Sequence, residues 1–404
     1  MSDDANDLAR RTADAVARNS YGKLVAFLAA RTRDVAAAED ALSEAFAAAL
    51  SDWPRKGCPT NPEAWLLTVA RRRSIDMARG RLRGEAAVEQ LQLISASADD
   101  SEIPDQRLAL MFVCAHPAIE EGIRAPLILQ VVLGLDAKVV ASAFLTSPAA
   151  MSKRLVRAKD KIRNAGIPFR VPERSELAGR LDTVLAAIYA CFTEGWTDFT
   201  RQDLTEEALF LARLATELLP DEPEALGLLA LMLHSEARRP ARRGAGGEYV
   251  PLAEQEPALW DAHKIAEAEG LLQRASGLGA IGRYQLEAAL QSAHVDRCRT
   301  GRANWAEVVQ LYDALLALLG SPVIAINRAL AVAEAQGAGA GLAAMEAVAA
   351  DDRVAEYQPY WAARAQLLAK SGAREEARRA YEMAIGLERD PAVRSFLQRR
   401  QSYC

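Results

Sequence analysis

Apolar residues recur at helical spacing along most of the chain, and alternating strand-like runs are nearly absent, so the sequence predicts an all-α protein. The clearest pattern lies in residues 136–163, which predict two short helices joined by a tight turn. Ser147 suits the N-cap of the second helix, and Pro148 suits its first turn, where a proline loses no hydrogen bond. The predicted buried positions are Val139, Val140 and Ala143 in the first helix and Met151, Leu155, Ala158 and Ile162 in the second.

The outer face of this second helix is strongly basic, although the whole chain has a formal net charge of -5. Its cations are Lys153, Arg154, Arg157, Lys159, Lys161 and Arg163, against the single acid Asp160. A basic helix alone is equally typical of a solvated surface. Within a helix-turn-helix frame, this segregation of charge indicates contact with DNA phosphates and bases.

The N-terminal pattern predicts two amphipathic helices between Leu8 and Leu50. In the second of them, the acids Glu39, Asp40 and Glu44 are expected to share an exposed side, with Leu42, Phe46 and Leu50 turned inward. Prolines and Gly57 predict a loop over residues 52–63, and Asn61 suits the cap of the next helix, with Pro62 at its first position.

That next helix begins apolar and becomes basic at Arg71, Arg72, Arg73, Arg79, Arg81 and Arg83. Asp76 lies three or four residues from Arg72, Arg73 and Arg79, which favours a role in orienting arginines. Residues 85–104 are acidic and rich in serine, with no helical stripe after Leu93, and are expected to be a linker.

Composition and the spacing of cysteines and histidines argue against several classes of function. The chain has 404 residues, enough for two or three domains, and its five cysteines are scattered without a CxxC pair. The four histidines are far apart in sequence, so no spacing suggests a zinc site or a catalytic pair. Because no long apolar run occurs and the first residues are acidic, we expect a cytoplasmic protein with no membrane contact, no metal and no cofactor.

The C-terminal half has the spacing of tetratricopeptide-like repeats. The best copy comprises Trp361, Ala365, Gly372, Ala377, Tyr381 and Ala384, and an earlier copy comprises Ala208, Ala212, Ala215 and Pro220. Residues 238–260 predict a glycine-rich loop that interrupts the array. Residues 337–341, GAGAG, predict a turn, because no lysine-serine pair follows to make a phosphate-binding loop.

Several motifs together resemble one family. AEDALSEAF, then WPRKGCPTNPEAWL, then the arginine-rich helix with IDMAR look like region 2 of extracytoplasmic-function sigma factors, and residues 105–163 look like region 4. The resemblance continues past Pro172 to the members with a long C-terminal helical-repeat extension. It implies four segments: region 2 at 1–84, a linker at 85–104, region 4 at 105–172 and the extension at 173–404.

The resemblance also implies roles for particular residues. Core RNA polymerase would be bound by Glu39, Asp40, Ser43 and Glu44, with Asp40 exposed at the centre. Promoter DNA would be bound in region 2 by Pro59, Thr60, Asn61, Arg71, Arg72, Arg73, Arg79, Arg81 and Arg83. In region 4 it would be bound by Ser152, Lys153, Arg154, Val156, Arg157 and Lys159. Arg72 and Ser152 stand where many relatives carry asparagine and arginine.

Two other classes compete with this interpretation. A helix-turn-helix regulator with a protein-binding repeat domain would need only the second basic helix and would leave the first without a role. An enzyme in the repeat half is disfavoured, because that half contains no nucleophile and base pair, no cofactor fingerprint and no metal spacing. We therefore predict a non-enzymatic sigma factor whose extension makes intramolecular contact with the sigma regions.

Overall fold

The computed structural model describes residues 3–81, 104–144, 146–177, 179–197, 202–349, 351 and 354–404. Within these residues the fold is all-α, and the sheet-like contact is an isolated bridge between Arg243 and Tyr249. The chain forms two compact units, Met1–Ala215 and Thr216–Cys404.

The first unit begins with a three-helix bundle: α1 (Asp3–Thr32), α2 (Val35–Lys56) and α3 (Pro62–Arg81). Leu24, Leu28, Leu42, Leu66 and Leu67 are fully buried in it. The sequence-predicted cap is confirmed, because Asn61 Oδ1 accepts a hydrogen bond from the Ala64 amide at 3.1 Å. Pro62 then begins α3, as its fixed φ favours.

Two local expectations for α2 were wrong. The helix does not end before Pro54 but continues to Lys56, since a proline near a helix C-terminus removes only one hydrogen bond and buried Trp53 fixes the last turn. Trp53 packs edge-on against Trp65, with ring centroids 5.5 Å apart. Leu50 is 48% exposed, because it lies to the side of the stripe formed by Ala38, Leu42, Ala45 and Ala49.

The rest of the first unit contains seven further helices among the described residues, the last of which crosses into the second unit. They are α4 (Arg107–Cys114), α5 (Glu121–Val131), α6 (Ala137–Ala143), α7 (Pro148–Asn164), α8 (Arg174–Leu177), α9 (Leu181–Thr197) and α10 (Gln202–Leu218). The predicted helix-turn-helix is α6 and α7. Ser147 caps α7 through its hydroxyl oxygen, which accepts from the Ala150 amide. The predicted stripe of Met151, Leu155, Ala158 and Ile162 is buried, which confirms the register of α7.

Helices α9 and α10 belong to the first unit, although the sequence places the start of the extension at residue 173. Helix α9 packs against α4 and α5. The buried Arg107 side chain bonds Asp105 in a fork, with its Nη2 at 2.8 Å, and also bonds Glu207 of α10. Its guanidinium lies 4.3 Å above the Phe210 ring. These contacts explain why the compact units divide after Ala215.

The second unit contains nine helices among its described residues. They are α11 (Pro223–Ala237), α12 (Ala262–Gly277), α13 (Arg283–Thr300), α14 (Trp305–Leu319), α15 (Pro322–Gln336), α16 (Ala338–Ala349), α17 (Gln358–Ser371), α18 (Arg374–Leu387) and α19 (Pro391–Ser402). Successive helices pack side by side. In the last predicted repeat, α17 and α18 turn at Gly372, whose φ is +86°, and Ala365, Ala377, Tyr381 and Ala384 are buried between them.

The array of the second unit returns on itself. The loop that follows α11 contacts α19 at three places: Arg243 bonds Asp390, Tyr249 packs edge-on against Phe396 at 5.4 Å, and Arg400 bonds Glu254. This loop is irregular, as expected. The last helix therefore closes the array onto its first segment.

The prediction of a turn over residues 337–341 was wrong in extent. Only Gly337 ends α15, and the remaining residues begin α16. A Cβ built on Gly341 would lie 2.5 Å from the Ala333 Cβ, so this glycine lets α15 and α16 approach closely.

Candidate functional site

Four of the residues expected to read promoter DNA lie together on the open side of α7. Ser152, Lys153, Val156 and Arg157 are all exposed. Val156 is 59% exposed and adds an apolar side chain to this face. The buried stripe on the opposite side of α7 fixes the direction in which these four side chains point.

Two other expected DNA-binding cations lie against the protein. Arg154 Nη2 is 2.9 Å from Glu120 Oε1, which holds the arginine beside the start of α5. Lys159 Nζ is 2.6 Å from Glu39 Oε2, and the lysine side chain is only 11% exposed. In this arrangement Arg154 and Lys159 are outside the exposed face, and the exposed cations of that face are Lys153 and Arg157.

The four residues expected to bind polymerase divide in the same way. Asp40 is exposed, as predicted from its position, and Ser43 and Glu44 are exposed beside it. Glu44 lies 3.2 Å from Arg73 in a pair that is half exposed on both sides. Glu39 was expected on the same open side but is only 15% exposed, because α7 covers it. Burial raises the pKa of Glu39, and Lys159 opposes that rise.

The surroundings of Glu39 are closed. Tyr21 is largely buried beside Glu39 and Asp40, and burial together with these two carboxylates raises the pKa of the phenol. Cys114 is fully buried, and burial raises the pKa of its thiol, with opposite smaller effects of Lys159 and Glu39. The pair of Glu39 and Lys159 is thus shielded from solvent.

The structure describes only some of the side chains that are expected to contact the minus-ten element. Thr60, Asn61, Arg72 and Arg73 are exposed, and Pro59 is half-buried. The side-chain amide oxygen of Asn61 caps α3. Its amide nitrogen is therefore the group that can contact a nucleobase. Arg71 is half-buried, and its guanidinium lies 5.2 Å from the centre of the Phe27 ring. The side chains of Arg79 and Arg81, the residue Arg83 and the expected linker at 85–103 are outside the described residues.

Sequence reasoning missed the contacts that join α7 to α2. Arg163 Nη1 lies 3.6 Å from Asp34 Oδ2, in addition to the pair of Lys159 and Glu39. It also missed Gly22, on which a Cβ would lie 1.8 Å from the Val132 carbonyl oxygen. Each contact joins residues more than a hundred positions apart, and no local pattern marks them.

The described residues lack both a membrane-spanning helix and a metal-binding cluster. None of these helices is both long and apolar enough to cross a bilayer. In the same residues, His, Cys, Asp and Glu side chains form no group of three or more that could hold a metal ion.

The N-terminal helices match a known protein family. Residues 17–84 match the sigma-70 region 2 family, and this range contains the second half of α1 and all of α2 and α3. The chain is also 32% identical over 164 residues to a probable RNA polymerase sigma factor, RfaY, of Xanthomonas campestris pv. campestris, covering 36% of this chain and 40% of that protein. Residues 17–84 of the chain therefore form a domain of the sigma-70 region 2 family.

A longer match covers nearly the whole chain. An uncharacterized protein of Rhizobium meliloti (strain 1021) is 37% identical over 381 residues, which span 91% of this chain and 89% of that protein, so both belong to one family. Residues 180–276 match a family of unknown function, DUF6596, which extends across the division between the two units. No solved structure matches the chain.

Proposed function

We propose that this protein is a sigma-70 family member of the extracytoplasmic-function type and directs core RNA polymerase to specific promoters. The observation that supports the proposal best is the exposed group Ser152, Lys153, Val156 and Arg157 on the second helix of a helix-turn-helix. A helix in this position places exposed side chains in the major groove, where arginine and lysine pair with guanine. This group would read the minus-thirty-five element.

In region 2, we assign core polymerase binding to α2 and melting of the minus-ten element to α3. Asp40, Ser43 and Glu44 offer an exposed acidic and polar surface for polymerase. Thr60 in the loop before α3, and Arg72 and Arg73 on α3, are exposed for single-stranded DNA, whose bases are held by a cationic groove and stacking.

We assign the second unit a regulatory role, as a tetratricopeptide-like array that binds a protein segment. Its side-by-side helices support this assignment, since such arrays present extended binding surfaces. Control would be exerted through intramolecular contact with the sigma regions. We propose a cytoplasmic protein that works without a cofactor, a membrane or catalysis of its own.

In vitro transcription tests the proposal. Purified full-length protein added to core polymerase should raise initiation at genomic promoters above the level of core alone. Arg157→Ala should keep polymerase binding and lower initiation about tenfold or more, since a bidentate base contact contributes roughly 1–3 kcal/mol. Asp40→Ala should instead lower polymerase binding in a pull-down.

The outcomes separate the claims. If no genomic promoter responds to the wild-type protein, the sigma assignment fails. If Asp40→Ala binds polymerase as wild type does, Asp40 is outside the polymerase interface. The exposed Lys161→Gln on α7 is the matched control for charge loss, and it should behave as wild type in both measurements.

A further inference from the structure

A polar cleft of about 1030 Å³ lies within the first unit, and the exposed residues of α7 take no part in its walls. Three stretches far apart in sequence form most of these walls: residues 14–23 of α1, residues 130–135 at and after the end of α5, and residues 204–210 of α10. Small-molecule sites are common where separate modules meet, with volumes of about 300–1,000 Å³. The cleft therefore has the size of a site for an organic ligand.

Acidic side chains outnumber basic ones on these walls by six to three. The acids are Asp14, Glu39, Glu63, Asp105, Glu206 and Glu207, and the bases are Arg18, Lys23 and Arg107. If Lys159, which pairs with Glu39 from α7, is added to the bases, the formal charge of the cleft is still -2. A concave surface of this charge attracts cations and repels phosphates and carboxylates.

The ion pairs inside the cleft leave this negative charge in excess. Arg107 Nη2 lies 2.8 Å from Asp105 Oδ2, and the same guanidinium bonds Glu207, so two carboxylates share one cation. Burial raises the pKa of Glu207, Arg107 opposes the rise, and Asp105 adds to it. A further positive charge in the cleft would favour the ionised form of Glu207.

The end of α5 adds two features that favour a cation independently of the carboxylates. Helix α5 ends at Val131, and Gln130 and Val132 on either side of that residue line the cleft, so the negative end of the helix dipole lies at its wall. The buried Oε1 atom of Gln130 accepts no hydrogen bond from the described residues. Because a buried acceptor without a donor is destabilising, Gln130 favours a ligand that carries N–H groups.

An organic cation fits these walls better than a metal ion does. In the part of the chain that the structure describes, His, Cys, Asp and Glu side chains form no group of three or more that could hold a metal. The acids of the cleft are instead spread over α1, α2, α3, α10 and the residues before α4. A linear polyamine carries several ammonium groups separated by methylene chains, so it can make charge-assisted hydrogen bonds to acceptors that are far apart.

We propose that this cleft is a binding site for a small organic cation of the polyamine class, with Asp14, Glu206 and Gln130 Oε1 among its acceptors. Asp14 lies on α1 and Glu206 on α10, and both are exposed. The bound cation joins these helices across the cleft and stabilises the first unit. The site adds to the proposed function a means by which a diffusible cation acts on this unit, and its occupancy requires neither polymerase nor DNA.

Isothermal titration of the full-length protein with spermidine tests the proposal. Wild type should bind spermidine at one saturable site, and triacetylated spermidine, which keeps the chain and lacks the charges, should not bind. Asp14→Asn and Glu206→Gln should each weaken binding at least fivefold. Gln130→Leu, which keeps the packing and removes the acceptor, should weaken binding at least threefold.

The matched controls are exposed acids on the same two helices but outside the cleft. Asp7→Asn on α1 and Glu217→Gln on α10 remove the same charge and should bind spermidine within twofold of wild type. Spermidine should also raise the thermal unfolding midpoint of wild type, and raise it less in Asp14→Asn, since a ligand stabilises the state that binds it. The midpoints without spermidine show that each variant is folded.

Three outcomes would refute the site. They are binding without saturation, equal weakening in the cleft variants and the controls, and no weakening in either Asp14→Asn or Glu206→Gln. A lysine-rich peptide that binds more tightly than spermidine, and loses affinity in the same two variants, would make the cleft a protein-docking surface and overturn the polyamine assignment. Transcription with core polymerase is measured separately, so the proposed function stands or fails without reference to spermidine.

Discussion

In the first unit, modules far apart in sequence meet through buried charged pairs, whereas the buried histidine at the centre of the second unit carries no charge. Lys159 and Glu39 form a pair that is shielded from solvent, and Arg107 bonds Asp105 and Glu207. In the second unit, His234 is fully buried with Nε2 3.5 Å from Glu269 Oε1. Burial lowers the pKa of His234 to about 4, so this contact is not an ion pair at pH 7.

Close packing at glycines is common to both units. Gly22 in the first unit lies where a Cβ would overlap the Val132 carbonyl oxygen, and Gly227 and Gly341 in the second unit lie where a Cβ would overlap a neighbouring helix. Such contacts cannot be opened without loss of packing. The two units therefore share close packing and differ in their buried polar contacts.

The largest expected effect is the loss of stability of the first unit when α9 and α10 are removed. A chain ending at Pro172 lacks α9 and α10, and with them the buried Val184, Leu185, Ile188 and Phe192. Each such side chain contributes about 1.5–3 kcal/mol, so the truncated unit should lose more than about 5 kcal/mol and unfold or aggregate. A chain ending at Asp221 should stay folded by circular dichroism and calorimetry. Equal stability of the two truncations would show that α9 and α10 are dispensable to the first unit.

The next largest expected effect is on the pH dependence of stability, through the neutral side chain of His234. The unfolded pKa of histidine is about 6.5, so the unfolded chain binds the proton more tightly than folded His234 does. The stability contributed by neutral His234 is complete above about pH 6.5 and is lost as pH falls towards 4, by roughly 2–3 kcal/mol. His234→Gln should remove that part of the pH dependence of unfolding free energy, measured from pH 7.5 to 4.5.

The matched control for this prediction is His263→Gln, since His263 is exposed on α12. Its unfolding free energy should follow the wild-type curve over the same pH range. A wild-type slope in the His234→Gln variant would assign the acid sensitivity to other groups, among them His294, whose pKa burial and Arg238 lower to about 4.

A smaller effect separates two glycines of the second unit. A Cβ on Gly227 would lie 2.6 Å from the Gln285 amide nitrogen, so Gly227→Ala should cost about 1–3 kcal/mol of unfolding free energy. Gly270 of α12 has open space around it, and Gly270→Ala should gain up to about 1 kcal/mol through helix propensity. Urea titration measures both. Effects of the same sign would contradict the close packing of α11 and α13.

The sequence predicts the features that depend on neighbouring residues. The stripe of α7, the Ser147 and Asn61 caps and the exposure of Asp40 follow from periodicity and local hydrogen bonding. The region 2 bundle also follows, since its motifs are local. These features define most of the candidate DNA surface.

Features that depend on distant residues were not predictable. The local sequence predicts that Glu39 is exposed, because it gives no sign that Lys159, 120 residues away, packs against it. The boundary expected at 172 ignores Glu207, which reaches back to Arg107. Pro54 and the glycines of 337–341 look like helix breaks, but tertiary packing of Trp53 and Gly341 overrides that preference. Local sequence patterns predict each helix but not the distant residues that pack against it.

The closure of the second unit by α19 has a consequence for synthesis. Asp390, Phe396 and Arg400, which hold helix α19 to the loop after α11, are synthesised later than every residue of the first unit, which ends at Ala215. At about 5–20 residues per second, the residues after Ala215 take roughly 10–40 seconds to make. The first unit therefore has all of its residues while the second is still open. The first unit can begin to fold before the second unit can take its final form.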